Sequence, residues 1–305
     1  MTAINICVCT CKRAQLLKEC LESIALIDVP SGLSVSVTVI DNDAAESANA
    51  VVSSLQSSFP FVFHYYVEKK RGIPCARNRA IEVTHALNAD YLVFIDDDER
   101  VKSDWLKRLY EFCVEYGGNI IVSGEVEAEL PEGTPPEIRV LYQRKDRVSG
   151  QQLATCATNN VLVPVSVTRE LGVRFDERNP LAGGTDTIFF CEAVAKGASI
   201  YKCVEALVYE VIPQSRTSLS WWAKRKYRAG ITEAWRKKQK GRSGMVVVFV
   251  AAVRCLVDFV VAGIGGMLLR RSLRNRYYLK ACKSAGVVAG VMGANVDSYQ
   301  QIDGR

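Results

Sequence analysis

Histidine is nearly missing: His64 and His85 are the only two in 305 residues. No CxxC pair occurs either, although the chain carries 11 cysteines. Zinc centres draw on thiolate pairs and imidazoles, so these two shortages exclude the usual zinc sets. A charged leader with an apolar core is also lacking. The opening Ile4-Asn5-Ile6-Cys7-Val8 reads instead as a first strand, which gives the expectation of a reducing cytoplasm. Cys7, Cys9 and Cys11 alternate, so on a strand they share one face and serve as small buried hydrophobes. A hydrophobic fraction of 49% excludes a disordered chain, and the length accommodates one large core or two moderate ones.

The net charge of +6 conceals a division. From Gln214 to Arg305 there are 18 Lys/Arg against 4 Asp/Glu, and before Gln214 there are 21 against 29. An acidic body of −8 is thus joined to a basic arm of +14, which seeks a polyanion, either nucleic acid or an anionic membrane surface. Within that arm, Met245–Leu269 is 25 residues long with only Arg254 and Asp258 charged. Its 14 Val, Leu, Ile and Phe residues favour insertion by about 4–8 kcal/mol, and two central charges cost about 5–7. The balance is near zero. Arg254 and Asp258 stand four apart and are placed to pair. Basic residues flank both ends (Arg236–Arg242 and Arg270–Arg276), so an interfacial helix fits better than a clean span. A shallow hairpin with the small-residue stretch Ala285–Val296 fits equally well. The apolar run suits lipid better than nucleic acid.

The first 125 residues alternate between strand and helix signals. Ile4–Cys9, Val35–Ile40, Phe61–Val67 and Tyr91–Ile95 read as strands, with helical stripes near 16–24 and over Arg77–Ala89. Ser103 is placed to cap a helix from Asp104 to about Tyr116. Thr155–Val163 reads as a further strand, Gly183–Gly184 open a helix to about Lys196, and Ile200–Val211 closes the body. This order predicts a mostly parallel sheet covered on both faces, with ligands bound beyond the carboxyl ends of its strands. Three regions follow: 1–213 as the α/β body, 214–242 as a basic linker helix, and 243–305 as an apolar, basic helical region associated with membrane.

Two strand ends carry carboxylates. Asp96-Asp97-Asp98-Glu99 follows a buried Tyr-Leu-Val-Phe-Ile strand, where successive negative charges repel unless a cation lies between them. Hard oxygen ligands suit Mg2+ or Mn2+, which keep open positions for diphosphate oxygens. Alternation lets Asp96 and Asp98 point together as metal ligands while Asp97 points away. Asp41 ends the second strand, placed either to accept hydrogen bonds from a nucleoside or to shape a turn.

These segments together resemble glycosyltransferase family two, inverting enzymes with a GT-A fold. Cys9-Thr10-Cys11-Lys12-Arg13 is similar to the family's first-strand turn, and Val39-Ile40-Asp41-Asn42 to its nucleoside-binding strand end. Arg71-Gly72-Ile73-Pro74-Cys75-Ala76-Arg77-Asn78 resembles the segment bordering the donor site, and Ile95–Asp98 stands where the metal-binding DxD motif belongs. The resemblance covers roughly residues 4–235. It implies that Thr10, Arg13, Asp41, Arg77 and Asp96 border a nucleoside-diphosphate sugar, with uridine the expected nucleoside. It also implies that Asp186, within Gly183-Gly184-Thr185-Asp186, is the general base. Thr185 departs from the family's usual acid there. Tyr209-Glu210-Val211-Ile212-Pro213 lacks the histidine that many relatives carry, which leaves diphosphate contact to Arg216 or to the basic Lys224–Arg228 stretch. The implied acceptor is a lipid-linked glycan in cell-surface polysaccharide assembly, reached from the cytoplasmic face of the membrane. A sugar nucleotidyltransferase would show a glycine-rich loop after the first strand, and Cys9–Arg13 has no glycine. A non-catalytic sugar-binding relative is the other alternative, motivated by Thr185 and Val211 and opposed by the retained Asp41, Asp96, Asp98 and Asp186.

Overall fold

A computed structural model describes residues 1–143, 147–178, 184–239 and 241–294. In chain order the elements are β1 (Thr2–Thr10), α1 (Ala14–Ile24), β2 (Leu33–Asp41), α2 (Asn49–Gln56), β3 (Val62–Val67), α3 (Ile73–Ala86), β4 (Tyr91–Asp96) and β5 (Glu99–Val101). There follow α4 (Trp105–Glu115), β6 (Ile121–Glu129), α5 (Pro136–Tyr142), β7 (Gln152–Leu153), β8 (Asn160–Pro164), α6 (Val165–Arg169), α7 (Thr185–Ala195) and β9 (Ile200–Val211). Three long helices end the described chain: α8 (Leu219–Gln239), α9 (Gly244–Met267) and α10 (Arg271–Val291).

The strands form one sheet in the order β3-β2-β1-β4-β8-β6-β9-β5, with β7 added on β9. β3, β2, β1 and β4 run parallel, as their alternation with helices requires. β8 is antiparallel to both β4 and β6, so the sheet becomes mixed beyond the parallel block. Ile4, Ile6 and Val8 pack on the face covered by α1 and α4, and Cys7 joins Ala76, Phe189 and Phe190 on the other. All cysteines among the described residues are free thiols. Burial raises Cys7 well above the usual thiol range and pushes Cys9 to about 12, so both behave as inert hydrophobes. Register places Thr10 beside Asp41 and Cys9 beside Asp96, bringing the ends of three strands together at one cleft.

Asn160 holds the mixed half of the sheet together. Its Oδ1 accepts from the Trp105 indole at 2.8 Å, and its Nδ2 donates to the carbonyls of Glu125 and Ala206. Both side chains are buried, and Gly124 leaves the room that Asn160 fills at the β6 bulge.

The helical unit packs differently. α8 and α10 cross in backbone contact: a Cβ on Gly230 would strike the Lys283 carbonyl, and one on Gly286 the Tyr227 carbonyl. α9 lies along α10 and buries Val247, Ala251, Ala262 and Gly265. The other face of α9 is bare, with Phe249 71% and Leu256 67% exposed.

Several local expectations shift. The strand expected over Thr155–Val163 begins only at Asn160, because Thr155–Asn159 is drawn across the cleft, where Asn159 donates to Glu99. Helix α3 begins at Ile73, since Pro74 is tolerated in a first turn. Asp104, not Ser103, stands at the N-cap position of α4, and its carboxylate accepts from Arg108 without capping the helix. Arg254 and Asp258 form no ion pair among the described residues, so that softening of the apolar run is absent.

Replacing Asn160 by Leu should lower unfolding free energy by at least about 2 kcal/mol, because a buried indole N–H and two carbonyls lose their partner. Urea denaturation followed by tryptophan fluorescence measures it; an unchanged midpoint would show that the three bonds contribute nothing.

Candidate active site

The cleft is built on charge. Asp96, Asp97, Asp98 and Glu99 leave β4 together, Glu210 stands across from Glu99 on β9, and the charge of Asp186 reaches Asp96. Three guanidiniums answer them. Arg13 lies 2.9 Å from Asp97 and 3.2 Å from Asp98; Arg77 is 3.6 Å from Asp96; Arg216 is 3.3 Å from Glu210 and 3.8 Å from Asp98. Negative charge remains in excess. Partial loss of water and the neighbouring carboxylates raise half-buried Asp96 to about 6, while burial and the same neighbours raise Asp97 to about 7 and Glu99 well above the usual range. Burial and Asp98 push Glu210 up as well, against the opposing pull of Arg216.

The destination of Asp97 was not legible beforehand: it shares one Arg13 nitrogen with Asp98, at 2.9 and 3.2 Å, where alternation had set the two apart. Its buried carboxylate accepts from the Thr10 hydroxyl at 2.7 Å and from Arg13, locking the turn after β1 against the end of β4. Thr10 and Arg13 are therefore engaged with the acidic cluster itself. Asp41 is fully buried and accepts from Ala48 N at 2.7 Å, Asp43 N at 3.1 Å and the Tyr65 hydroxyl at 2.9 Å. It shapes the 42–48 loop, the turn role that its sequence position also allowed. Its neighbour Asn42, given no role of its own in the sequence, ties that loop to the 68–72 segment through the carbonyls of Glu68 and Lys70 and the amide of Gly72. The adjacent Asp-Asn-Asp run was the only available signal.

Asp186 sits in the first turn of α7, one residue after buried Thr185. One carboxylate oxygen accepts from Thr187 N at 2.7 Å; the other makes no hydrogen bond among the described residues. The helix is aimed by Phe189, stacked on Phe175 at 4.2 Å, and by Gly184, whose φ of 85° suits glycine. Gly183 lies outside the described residues. The Val211 amide donates to the Asp98 carbonyl, and the following turn delivers the Arg216 guanidinium to the cluster. Arg225 of the Lys224–Arg228 stretch stacks on Trp221 and Trp222, and its charge reaches Glu210.

The donor set suits a hard divalent cation. The Asp96 side chain is 44% exposed to the cleft, and Asp98 is adjacent behind Arg13. Among the described residues no three His, Cys, Asp or Glu side chains form a metal cage. A cation held by these carboxylates would take its other ligands from diphosphate and water, as Mg2+ and Mn2+ do.

Residues 5–172 match the family described as "Glycosyl transferase family 2". The Rhizobium meliloti (strain 1021) "Succinoglycan biosynthesis protein ExoM" is 32% identical over 306 residues, covering 95% of this chain and 93% of the relative. The chain belongs to glycosyl transferase family 2 and is a glycosyltransferase of GT-A fold. Among solved structures, the Pyrobaculum calidifontis mannosyltransferase PcManGT, in complex with GDP-Man and Mn2+, superposes with a TM-score of 0.64 at 16% identity, over 94% of this chain and 86% of that one. S. aureus TarS 1–349 in complex with UDP gives 0.56 at 14% identity, over 100% of this chain and 95% of the other. Against a longer TarS chain the match covers only 40% of that chain and 75% of this one, with a TM-score of 0.54. These structural likenesses bear on fold.

A raised carboxylate binds a proton in the folded chain that the unfolded chain releases. For Asp96 and Asp97, stability therefore falls as pH rises between about 4 and about 7. In EDTA the melting temperature should drop over this interval, and Mn2+ should restore it at pH 7.5. A metal-independent profile would show that the cluster needs no cation.

Proposed function

We propose that this glycosyltransferase transfers a sugar, with inversion, from a nucleoside-diphosphate sugar to a hydroxyl of a lipid-linked glycan at the cytoplasmic face of the cell membrane. A uridine nucleotide is the donor this reading favours. The observation that carries it is the open oxygen of Asp186 beside the Asp96–Asp98 cluster: an unengaged base next to a site for diphosphate. In the reaction, Asp186 accepts the proton of the acceptor hydroxyl as that oxygen forms its bond to the anomeric carbon. The bond from this carbon to the diphosphate oxygen breaks, its electron pair leaves with the nucleotide, and the configuration inverts. Arg77 and Arg216 face the leaving group, while Thr10 and Arg13 keep β1 and β4 in register with it. Asp96 and Asp98 would hold Mg2+ or Mn2+, which neutralises diphosphate charge when bound. The donor class agrees with the UDP and the GDP-Man with Mn2+ held by the fold neighbours, and the polysaccharide setting with the succinoglycan biosynthesis relative.

The decisive measurement is release of nucleoside diphosphate from a panel of nucleotide sugars. One donor should turn over with Mn2+, EDTA and Asp98→Ala should each abolish release, and Asp186→Asn should lower turnover by about 10²–10⁴. Full activity of Asp186→Asn would reject the base assignment; nucleotide binding absent from the whole panel would favour a non-catalytic role.

Region 243–305 serves in this reading as the membrane-associated part, with 214–242 joining it to the body. Phe249, Leu256, Val260 and Met267 form one exposed stripe along α9, at i, i+7, i+11 and i+18. To span, α9 would have to leave α10, which covers its opposite face and carries Arg271, Arg274, Arg276 and Lys280. A helix lying in the interface keeps both basic ends at one leaflet. Tryptophan placed at each of the four stripe positions should be quenched equally by shallow brominated lipid in anionic vesicles. Graded quenching, strongest at Leu256 and Val260 with deep bromines, would indicate a span, and none at any position would remove lipid from the account.

A further inference from the structure

Residues 175–178 and Gly184, described residues that precede Asp186, are held by helices outside the sheet. Upstream, Asn78 on α3 bonds both backbone groups of Phe175, and its amide also donates to Glu177 at 2.7 Å. Asp176 grips the Arg178 guanidinium through both its oxygens, with the shortest contact at 2.6 Å. That guanidinium lies over the Trp235 ring on α8, 5.8 Å from its centroid. Downstream, Gly184 meets α8 again: a Cβ there would come within 2.6 Å of the Thr232 methyl. Thr232 and Trp235 are three apart and share one helix face. Arg178 and Gly184, on either side of the approach to the base, therefore rest on a single turn of α8.

That turn is itself held rigidly. Gly230 and Gly286 let α8 and α10 meet backbone to backbone, and Gly290 comes against Ile231 and Ala234. Between them Glu233 pairs with Lys237 at 2.7 Å and Lys283 at 2.8 Å. Beyond Asp186 itself, the buried Phe189 and Phe190 fix α7 in the core. The base is thus constrained from both sides, by the aromatic core after it and by α8 before it.

We propose that the Thr232–Trp235 face of α8 is the seat of the catalytic base: the two side chains act as positioning residues that set where the Asp186 carboxylate lies relative to the acceptor oxygen. The proposal rests on the reading of Asp186 as base. Among the described residues neither side chain bonds to the acidic cluster, so their effect falls on the transfer step and spares nucleotide binding. Displacing a reacting group by about 1 Å costs as much as 10²-fold in rate, which sets the scale.

The test uses the full chain, the nucleotide sugar active in the release panel, and UDP with Mn2+ for calorimetry. Thr232→Phe, which crowds Gly184, and Trp235→Ala, which removes the ring under Arg178, should each lower kcat at least tenfold. The Kd for UDP should stay within twofold. Trp235→Phe keeps a ring under Arg178 and should recover kcat to within about threefold of wild type. Wild-type kcat in both Thr232→Phe and Trp235→Ala would overturn the proposal, as would a rise in the UDP Kd matching the loss of rate, which marks a general lesion. An inactive Asp186→Asn beside fully active α8 variants would reject the seat alone. A fully active Asp186→Asn would reject the base, and the seat with it.

Discussion

Carboxylates crowded at the carboxyl end of a buried strand repel one another, and that repulsion organises everything around the cleft. Asp96, Asp97, Asp98 and Glu99 are adjacent in sequence, and β9 adds Glu210 opposite them. The chain meets this strain with three guanidiniums drawn from distant positions: Arg13 after β1, Arg77 on α3, and Arg216 beyond β9. Each belongs to a different structural layer, so the ion pairs also fix those layers to one another. What stays uncompensated is a pocket of negative potential, the condition under which a hard cation and its diphosphate ligand bind well.

Much of this could be read from the chain because the relevant signals are local. An apolar run followed by acids marks a strand end, and alternating strands and helices mark a parallel sheet whose ligands collect there. Arg77 pairs with Asp96 and Arg216 with Asp98, so these four residues lie at the same strand end. The partners of Asp97 and Asn42 were illegible because they depend on contacts 84 to 87 and 26 to 30 residues away. Alternation along β4 says which way a side chain leaves the strand, but not that Thr10 and Arg13 wait on that side. Asp41 was ambiguous for a related reason: a carboxylate at a strand end satisfies a loop's amides as readily as a ligand's hydroxyls, and here it accepts from Asp43, Ala48 and Tyr65.

The apolar C-terminal run shows a different limit. Composition gave an insertion balance near zero, and no refinement of that arithmetic would have resolved it. Packing adds what composition lacks. α10 follows α9 along its length, so one face is already covered by a helix carrying several arginines, and only the opposite stripe stays exposed. The Gly230, Gly286 and Gly290 contacts that join α10 to α8 were invisible for the same reason, since a glycine in a helix reads locally as a weakness.

Those glycine contacts bear on how such a chain can change over evolutionary time. Side chains between two helices act as adjustable spacers, and substitutions there are absorbed by new rotamers. Bare backbone against bare backbone has no such give, so α8 and α10 must be inherited as a matched pair. Because α8 also abuts Gly184, this constraint reaches the start of α7. The C-terminal helices are therefore poor candidates for shuffling: a replacement from an unrelated protein would leave the catalytic body without a wall it was shaped against.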